Sequence, residues 1–344
     1  MCDNVTAWSE TDPDNQLLRH IVFIVSSIFA ALVGTFSNFL SFISLLSGKF
    51  LCRKPITILI LNLCISDFIF CLVMIPLHLS NHLDHNFVQT LVDRHSFSYY
   101  VLHLPTIADW YTMSIIALER FFRICRSIQY ETIFSVRNTI LIVGGVWIFP
   151  TLIFSAAYYG IIDDLYLVCC HHRDDDHYVC ESSTNSGAYF YIASSGLPFL
   201  IIIISYSAIW IKFLGAQRWR NRTRQQMPDW VNKTESHIMK TSLIVVIVYM
   251  IGVLPLPILN IMSMYGSGMQ EDLRMFFRCL YMQVYYINNL VFMLGVDGYR
   301  QACLDLYRRI HPSIAKYDSG TAIEESNQST DIRLGLQGKK EEGH

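Results

Sequence analysis

A chain of 344 residues that is 52% hydrophobic and only 16% charged is not a soluble domain, since such a domain carries about a quarter charged residues. Its mean hydropathy is +0.34. With no catalytic constellation of side chains, this composition excludes a soluble enzyme. The net charge of −2 says little by itself; its distribution along the chain says more.

The apolar residues gather into seven runs long enough to cross a bilayer core, which takes about 20 helical residues. They fall at roughly 19–47, 55–79, 97–124, 138–160, 187–213, 237–264 and 272–295. The expected fold is all-α. An outer N-terminus (1–18) precedes a seven-helix bundle (19–296), then an amphipathic eighth helix (297–310) and a disordered cytoplasmic tail (311–344). Residues 1–18 are too polar for a signal peptide, so segment one directs insertion. The sequon Asn4-Val5-Thr6 precedes it and offers Asn4 for glycosylation.

Between segments, charge alternates in sign. Lys49, Arg53 and Lys54 follow segment one; Arg123, Arg126 and Arg137 follow segment three; Arg218, Arg220, Arg222 and Arg224 follow segment five; Arg308 and Arg309 follow segment seven. The other loops carry Asp84 and Asp93, then Asp163, Asp164 and Asp174 to Asp176. Lys and Arg collect on the cytoplasmic side. The N-terminus is therefore expected outside and the C-terminus inside a plasma membrane, which needs an odd number of crossings. The basic inner face suits anionic lipid or a protein partner. It abuts membrane helices, so nucleic acid is a poor fit.

Taken in order, the segments resemble the rhodopsin-like G-protein-coupled receptors. The likeness rests on Gly34 with Asn38 in segment one, Leu63 to Asp67 in segment two, and Glu119-Arg120-Phe121 closing segment three. Trp147 follows in segment four, Pro198 and Tyr206 in segment five, Gly252-Val253-Leu254-Pro255 in segment six, and Asn288-Asn289-Leu290-Val291-Phe292 in segment seven. Each motif alone is ordinary; their order over about residues 20–310 carries the resemblance. Lys54-Pro55-Ile56-Thr57 and Tyr299-Arg300-Gln301-Ala302 also look similar to the insect Moody and Trapped-in-endoderm receptors. The chain departs from the family where Val253 replaces a tryptophan, Asn289 a proline and Phe292 a tyrosine. The family's disulfide cysteine at the outer end of segment three is missing.

The resemblance implies a switch at the inner face made of Glu119, Arg120, Glu235, Tyr206, Asn288 and Phe292. Arg120 would pair with Glu119 and fork onto Glu235, clipping segments three and six until activation frees it for a heterotrimeric G-protein. The plain alternative is an arginine snorkelling to headgroups. A second implied site is a cation pocket of Asn38, Asp67, Asp109 and Asn288 for sodium. Asp109 stands where the family usually has a serine. Two close carboxyls in a low-dielectric site cannot both ionise cheaply, so either a cation bridges them or one takes a proton.

The ligand pocket is expected from His78, Leu102, His103, Thr106, Tyr191, Ser194, Val253, Asn260, Arg278 and Met282. Leu102 stands where amine receptors have an aspartate, and Met282 where opsins have the retinal lysine. A simple amine and retinal are therefore not the expected ligands. Arg278 suits a carboxylate or phosphate, as on an anionic lipid or small peptide, or an internal pair with Glu271 or Asp272. In the outer loop 169–180, Cys169, Cys170 and Cys180 stand among histidines, which can bind zinc. In an oxidising exterior a disulfide of Cys180 to Cys169 or Cys170 is simpler, with Cys2 as a partner for the remaining thiol. The tail offers Ser326 and Ser329 beside acidic residues, for phosphorylation and arrestin. A transporter or ion pathway through Asp67 and Asp109 is the alternative reading, and a non-signalling scaffold or decoy receptor the third. The absence of an internal repeat and of a broken-helix pair counts against the transporter.

Overall fold

The computed structural model describes residues 13–47, 54–83, 96–158, 169–170, 179–180, 185–223, 244, 246–264, 271–295 and 297–310. Helix one is Pro13–Ser47. Helix two is Pro55–Ile69 continued by Ile75–Leu83, with a π-turn at Phe70–Met74 between them. Helix three is Ser96–Cys125, helix four Val136–Tyr158 and helix five Asn185–Thr223. Helix six contains the apolar stretch Val246–Leu259 and runs on as Pro255–Met264. Helix seven is Glu271–Gly295 and helix eight Asp297–Ile310, turned 96° from it.

The seven expected segments and the eighth helix are helical over their described residues, while 1–12 and the tail from 311 lie outside them; three features are additional. Helix five continues about ten residues past the expected end at 213. The stretch after helix three holds a short helix, Ser127–Ile133, set at 66° to helix four. Between helices four and five, strands Cys169–Cys170 and Val179–Cys180 pair antiparallel, with Cys169 directly opposite Cys180.

The breaks have local causes. Proline lacks an N–H and its ring crowds the carbonyl four residues back. Pro76 follows the π-turn of helix two, where the Ile75 amide reaches the Phe70 carbonyl. Ahead of Pro255, helix six opens at Val253–Leu254. There the amides of Val253 (2.9 Å) and Leu254 (3.3 Å) share the single carbonyl of Tyr249.

Leu17–Ser47, Pro55–Ser80 and Ser195–Gly215 are each apolar and long enough to cross a membrane as single elements. Helix three is less apolar because it carries Asp109, Glu119 and Arg120. It packs against helices two, four and five, which hides that polarity from lipid. Helix one turns Leu32, Phe36 and Phe39 outward, as a lipid-facing surface must. Helix eight exposes Leu304, Tyr307 and Ile310 while burying Tyr299 and Ala302. That apolar outer stripe is how an interfacial helix lies at a membrane surface.

Two glycines permit close helix contacts, as small residues do in membranes. A Cβ on Gly34 would lie 2.3 Å from the Cys71 sulfur, and one on Gly252 would lie 2.2 Å from Cγ2 of Val284. Gly252→Ala is expected to cost about 1–3 kcal/mol by overpacking helices six and seven. Val284→Ala should restore most of it, because the next atom is 3.7 Å away. Thermal unfolding of the single and double variants checks this; a single variant as stable as wild type would remove the contact.

Candidate functional site

The C-terminal end of helix three is built around a carboxylate. Glu119 is fully buried. Its Oε2 lies 3.5 Å from Arg120 Nε, and its Oε1 lies 3.8 Å from Arg123 Nη1. Oε1 also accepts a 2.9 Å hydrogen bond from the Tyr130 hydroxyl. Tyr130 belongs to the short helix Ser127–Ile133, where its ring stacks on Phe134, and Arg123 sits 5.9 Å above the Tyr130 ring. Burial, then the nearby Glu119 carboxylate, push the Tyr130 phenol well above its ordinary range, so it remains a donor. Ile128, on the same short helix, is 91% exposed.

The middle of the bundle holds an unusual density of buried polar atoms. Asp67 on helix two and Asp109 on helix three are both 1% exposed, and their carboxyls are near enough to act on one another electrostatically. Asp109 Oδ2 accepts from the Tyr249 hydroxyl of helix six at 3.4 Å. Asn38 on helix one donates to the carbonyls of Gly34 (3.0 Å) and Tyr285 (3.1 Å). Both Asp67 oxygens, Asp109 Oδ1, Asn38 Oδ1 and both side-chain polar atoms of Asn288 have no hydrogen-bond partner. Leaving a buried polar group unsatisfied costs about 1–3 kcal/mol. Oxygen atoms of this kind suit a hard cation such as sodium, for which these residues would serve as holders. Phe70, Tyr281 and Tyr285 pack beside them, Phe70 stacked on Tyr285 at 3.6 Å.

Two further networks tie helices together. Trp147 donates to Asn62 at 2.8 Å, and Asn62 to Thr112 at 2.7 Å, joining helices four, two and three. Asn289 Oδ1 accepts from Ser41 at 2.9 Å and from the Tyr299 hydroxyl, joining helices one, seven and eight. Asn289 keeps the N–H that a proline would lack, and helix seven runs unbroken through it.

A family description, 7 transmembrane receptor (rhodopsin family), matches residues 15–291. The chain belongs to this rhodopsin family of seven-transmembrane receptors. It is 24% identical to the melatonin receptor type 1A of Gallus gallus over 197 residues, 56% of this chain and 52% of that receptor. It is 29% identical to the olfactory receptor 1A1 of Gorilla gorilla gorilla over 126 residues, 37% of this chain and 40% of that protein. The chain thus spans about half the length of the curated relatives it matches.

The structure places several of the residues that the sequence of this rhodopsin-family receptor assigns to a switch. Glu119 and Arg120 are paired, and Asn288 and Phe292 are buried on helix seven. Tyr206 is partly buried and packs against the core, while Glu235 lies outside the described residues. Of the residues expected in a cation pocket, Asp67, Asp109, Asn38 and Asn288 are all buried. Of the expected ligand pocket, Val253 (0% exposed) and Met282 (4%) belong to the packed core instead of an open cavity, and Met282 sulfur accepts from Ser27. Thr106 is buried, His103 half-buried, and His78 and Arg278 are exposed, with the Arg278 charge reaching His78. The side chains of Leu102, Tyr191, Ser194, Asn260, Glu271 and Asp272, together with Asn4, Cys2 and the tail, lie outside the described residues.

Reading the sequence missed Tyr130, Tyr249 and Ile128. Tyr130 and Ile128 fall in a loop with no apolar run. Tyr249 hides among the apolar residues of segment six, where a tyrosine ring passes for core.

Proposed function

We propose that the receptor carries a signal from an extracellular ligand to a heterotrimeric G-protein at its inner face. The observation that supports this best is the buried Glu119, held against Arg120 beside the exposed Ile128. A carboxylate with no access to water costs far less when paired. Activation then separates the inner ends of helices three and six and presents the Arg120 guanidinium to the G-protein. Glu235 is the proposed second partner of Arg120, with Tyr206, Asn288 and Phe292 lining the path that opens. The proposed orientation puts the N-terminus outside and the basic loops at the cytosol, following the charge asymmetry. Arrestin at the phosphorylated tail and anionic lipid against the basic face are further proposed partners.

The proposed ligand is neither a simple amine nor retinal. Leu102 supplies no counter-ion, and Met282 offers no amine for a Schiff base. Arg278, exposed on helix seven near His78, favours an anionic group such as that of a lipid or small peptide. The Cys169–Cys180 register favours a disulfide at that pair over one through Cys170, because directly opposed residues bring their side chains closest. Asp67, Asp109, Asn38 and Asn288 are proposed to hold sodium, which stabilises the closed state.

Purified receptor in vesicles, assayed against a panel of heterotrimeric G-proteins, tests the proposal. Nucleotide exchange on at least one member is expected. Ion flux without exchange would replace the receptor reading with the transporter one. Ile128→Asp should lower exchange about tenfold, because a desolvated carboxylate would enter the contact, while leaving thermal unfolding unchanged. Full exchange by this variant would place the contact elsewhere.

A further inference from the structure

We propose that Lys212 is a latch between helix five and the C-terminal end of helix three, and that the phosphate of an anionic lipid in the adjoining headgroup layer releases it. The inference gives a site to the lipid partner proposed above. It rests on the proposed orientation for the supply of that lipid, and on nothing in the G-protein reading.

The latch is one hydrogen bond. The Lys212 ammonium, on helix five, donates to the carbonyl of Ile124 in the last turn of helix three. The last four carbonyls of a helix have no amide of their own helix to bind, and the helix dipole adds partial negative charge there. The lysine supplies a cap from a neighbouring helix. It fastens helix five to the turn that follows Glu119 and Arg120.

Depth decides what else can reach the ammonium. The apolar span of helix five is Ser195–Gly215, so Lys212 stands in its final turn. Trp210 and Ile211, just before it, are 46% and 70% exposed. An outward tryptophan at the end of an apolar span marks the boundary between hydrocarbon and headgroups. A lysine at that level ordinarily extends its stem and places its charge among the headgroups. Lys212 is exposed, yet bends to Ile124. A second cation stands at the same end. Arg126 is exposed at the head of the short helix, and its charge reaches Cys125, as that of Lys212 does.

Glu119 holds Arg120 and Arg123, but among the described residues no carboxylate pairs with Lys212 or Arg126. Two such cations at headgroup depth fit an anion of the headgroup layer. An ionised phosphate makes a hydrogen bond roughly twice as strong as a neutral carbonyl does. A zwitterionic lipid carries its phosphate beside its own cation, so an anionic lipid is the fitting partner. In the proposed orientation this is the cytoplasmic leaflet, where anionic lipids collect. A lipid phosphate held by Lys212 and Arg126 draws the ammonium off Ile124, and helix five is no longer tied to helix three at that point.

Hydrogen–deuterium exchange of the full-length receptor in lipid nanodiscs tests this without any G-protein. Amides 119–125 report the last turns of helix three, and residues 62–71 of helix two serve as a control. In wild type, replacing part of the phosphatidylcholine by phosphatidylglycerol should speed exchange of the first segment about two- to fivefold, the scale of a terminal cation, and leave the second unchanged. Lys212→Met keeps the stem and drops the charge. It should exchange at the faster rate in phosphatidylcholine alone and show no further response. Lys212→Arg should restore both the slow rate and the response. Arg126→Gln should keep the slow rate, since the latch is intact, with a smaller response. No response in wild type overturns the inference, as does a response of wild-type size in Lys212→Met. Glycerol phosphate in solution, added to phosphatidylcholine discs, should do nothing; if it reproduces the effect, the site takes a soluble phosphate and the lipid assignment falls.

Discussion

Glu119→Gln is expected to raise ligand-independent nucleotide exchange about tenfold, the equivalent of about 1.4 kcal/mol. The carboxylate is fully buried and is shared by Arg120, Arg123 and Tyr130. Removing its charge ends two ion pairs and reduces a charge-assisted hydrogen bond to a neutral one. The Arg123 pair contributes least, since that side chain is 45% exposed and screened by water. The Arg120 pair and the Tyr130 bond are the better shielded, and both hold the closed arrangement. GTP-analogue uptake by purified G-protein checks the effect. Exchange equal to wild type would mean that Glu119 is structural only.

Asp109→Asn should have the second large effect, with opposite signs on stability and on sodium response. Two buried carboxyls near one another are costly without a counter-charge, and no cationic side chain among the described residues pairs with either. An asparagine removes one charge and keeps an acceptor for the Tyr249 hydroxyl. The sodium-free receptor should gain about 1–3 kcal/mol, seen as a rise of several degrees in its unfolding temperature. The increment that sodium adds to wild type should shrink, because one charged holder has gone. If the variant unfolds earlier than wild type in sodium-free buffer, the two carboxyls are not opposing one another.

Much of this architecture is legible in the chain because a membrane imposes long apolar runs and a charge bias on any sequence that crosses it. Pro255 announces the break in helix six, and Glu119-Arg120 announces the buried ion pair near the end of helix three. That Asp67 and Asp109 are buried near one another follows from family order alone, since residues in different helices carry no local signal of proximity. The rest depends on contacts between elements. Tyr130 reaches Glu119 only because the loop after helix three coils into Ser127–Ile133. Asn289 finds Ser41 and Tyr299 because helix eight turns sharply beneath helix seven. The seven-residue helix is too short to show a periodic pattern, and the turn falls where hydropathy changes for other reasons. Family position points Val253 and Met282 to the ligand pocket, but side-chain packing at the centre of this bundle closes over both.

The departures at Val253 and Asn289 are matched by other contacts in the same regions. Asn289 joins three helices through Ser41 and Tyr299, and Tyr249 stands one turn from Val253 with its own link to helix three. These are local substitutions within the family's fold, and they leave Glu119 and Arg120 in their pair.

The most direct measurement is nucleotide exchange on purified heterotrimeric G-proteins by wild type and Arg120→Ala, in vesicles and matched for receptor amount and unfolding temperature. Exchange by wild type with at least one G-protein, and its reduction to the receptor-free rate in Arg120→Ala, is the predicted result. Equal exchange by the two proteins, or none by wild type with any G-protein, would contradict the account.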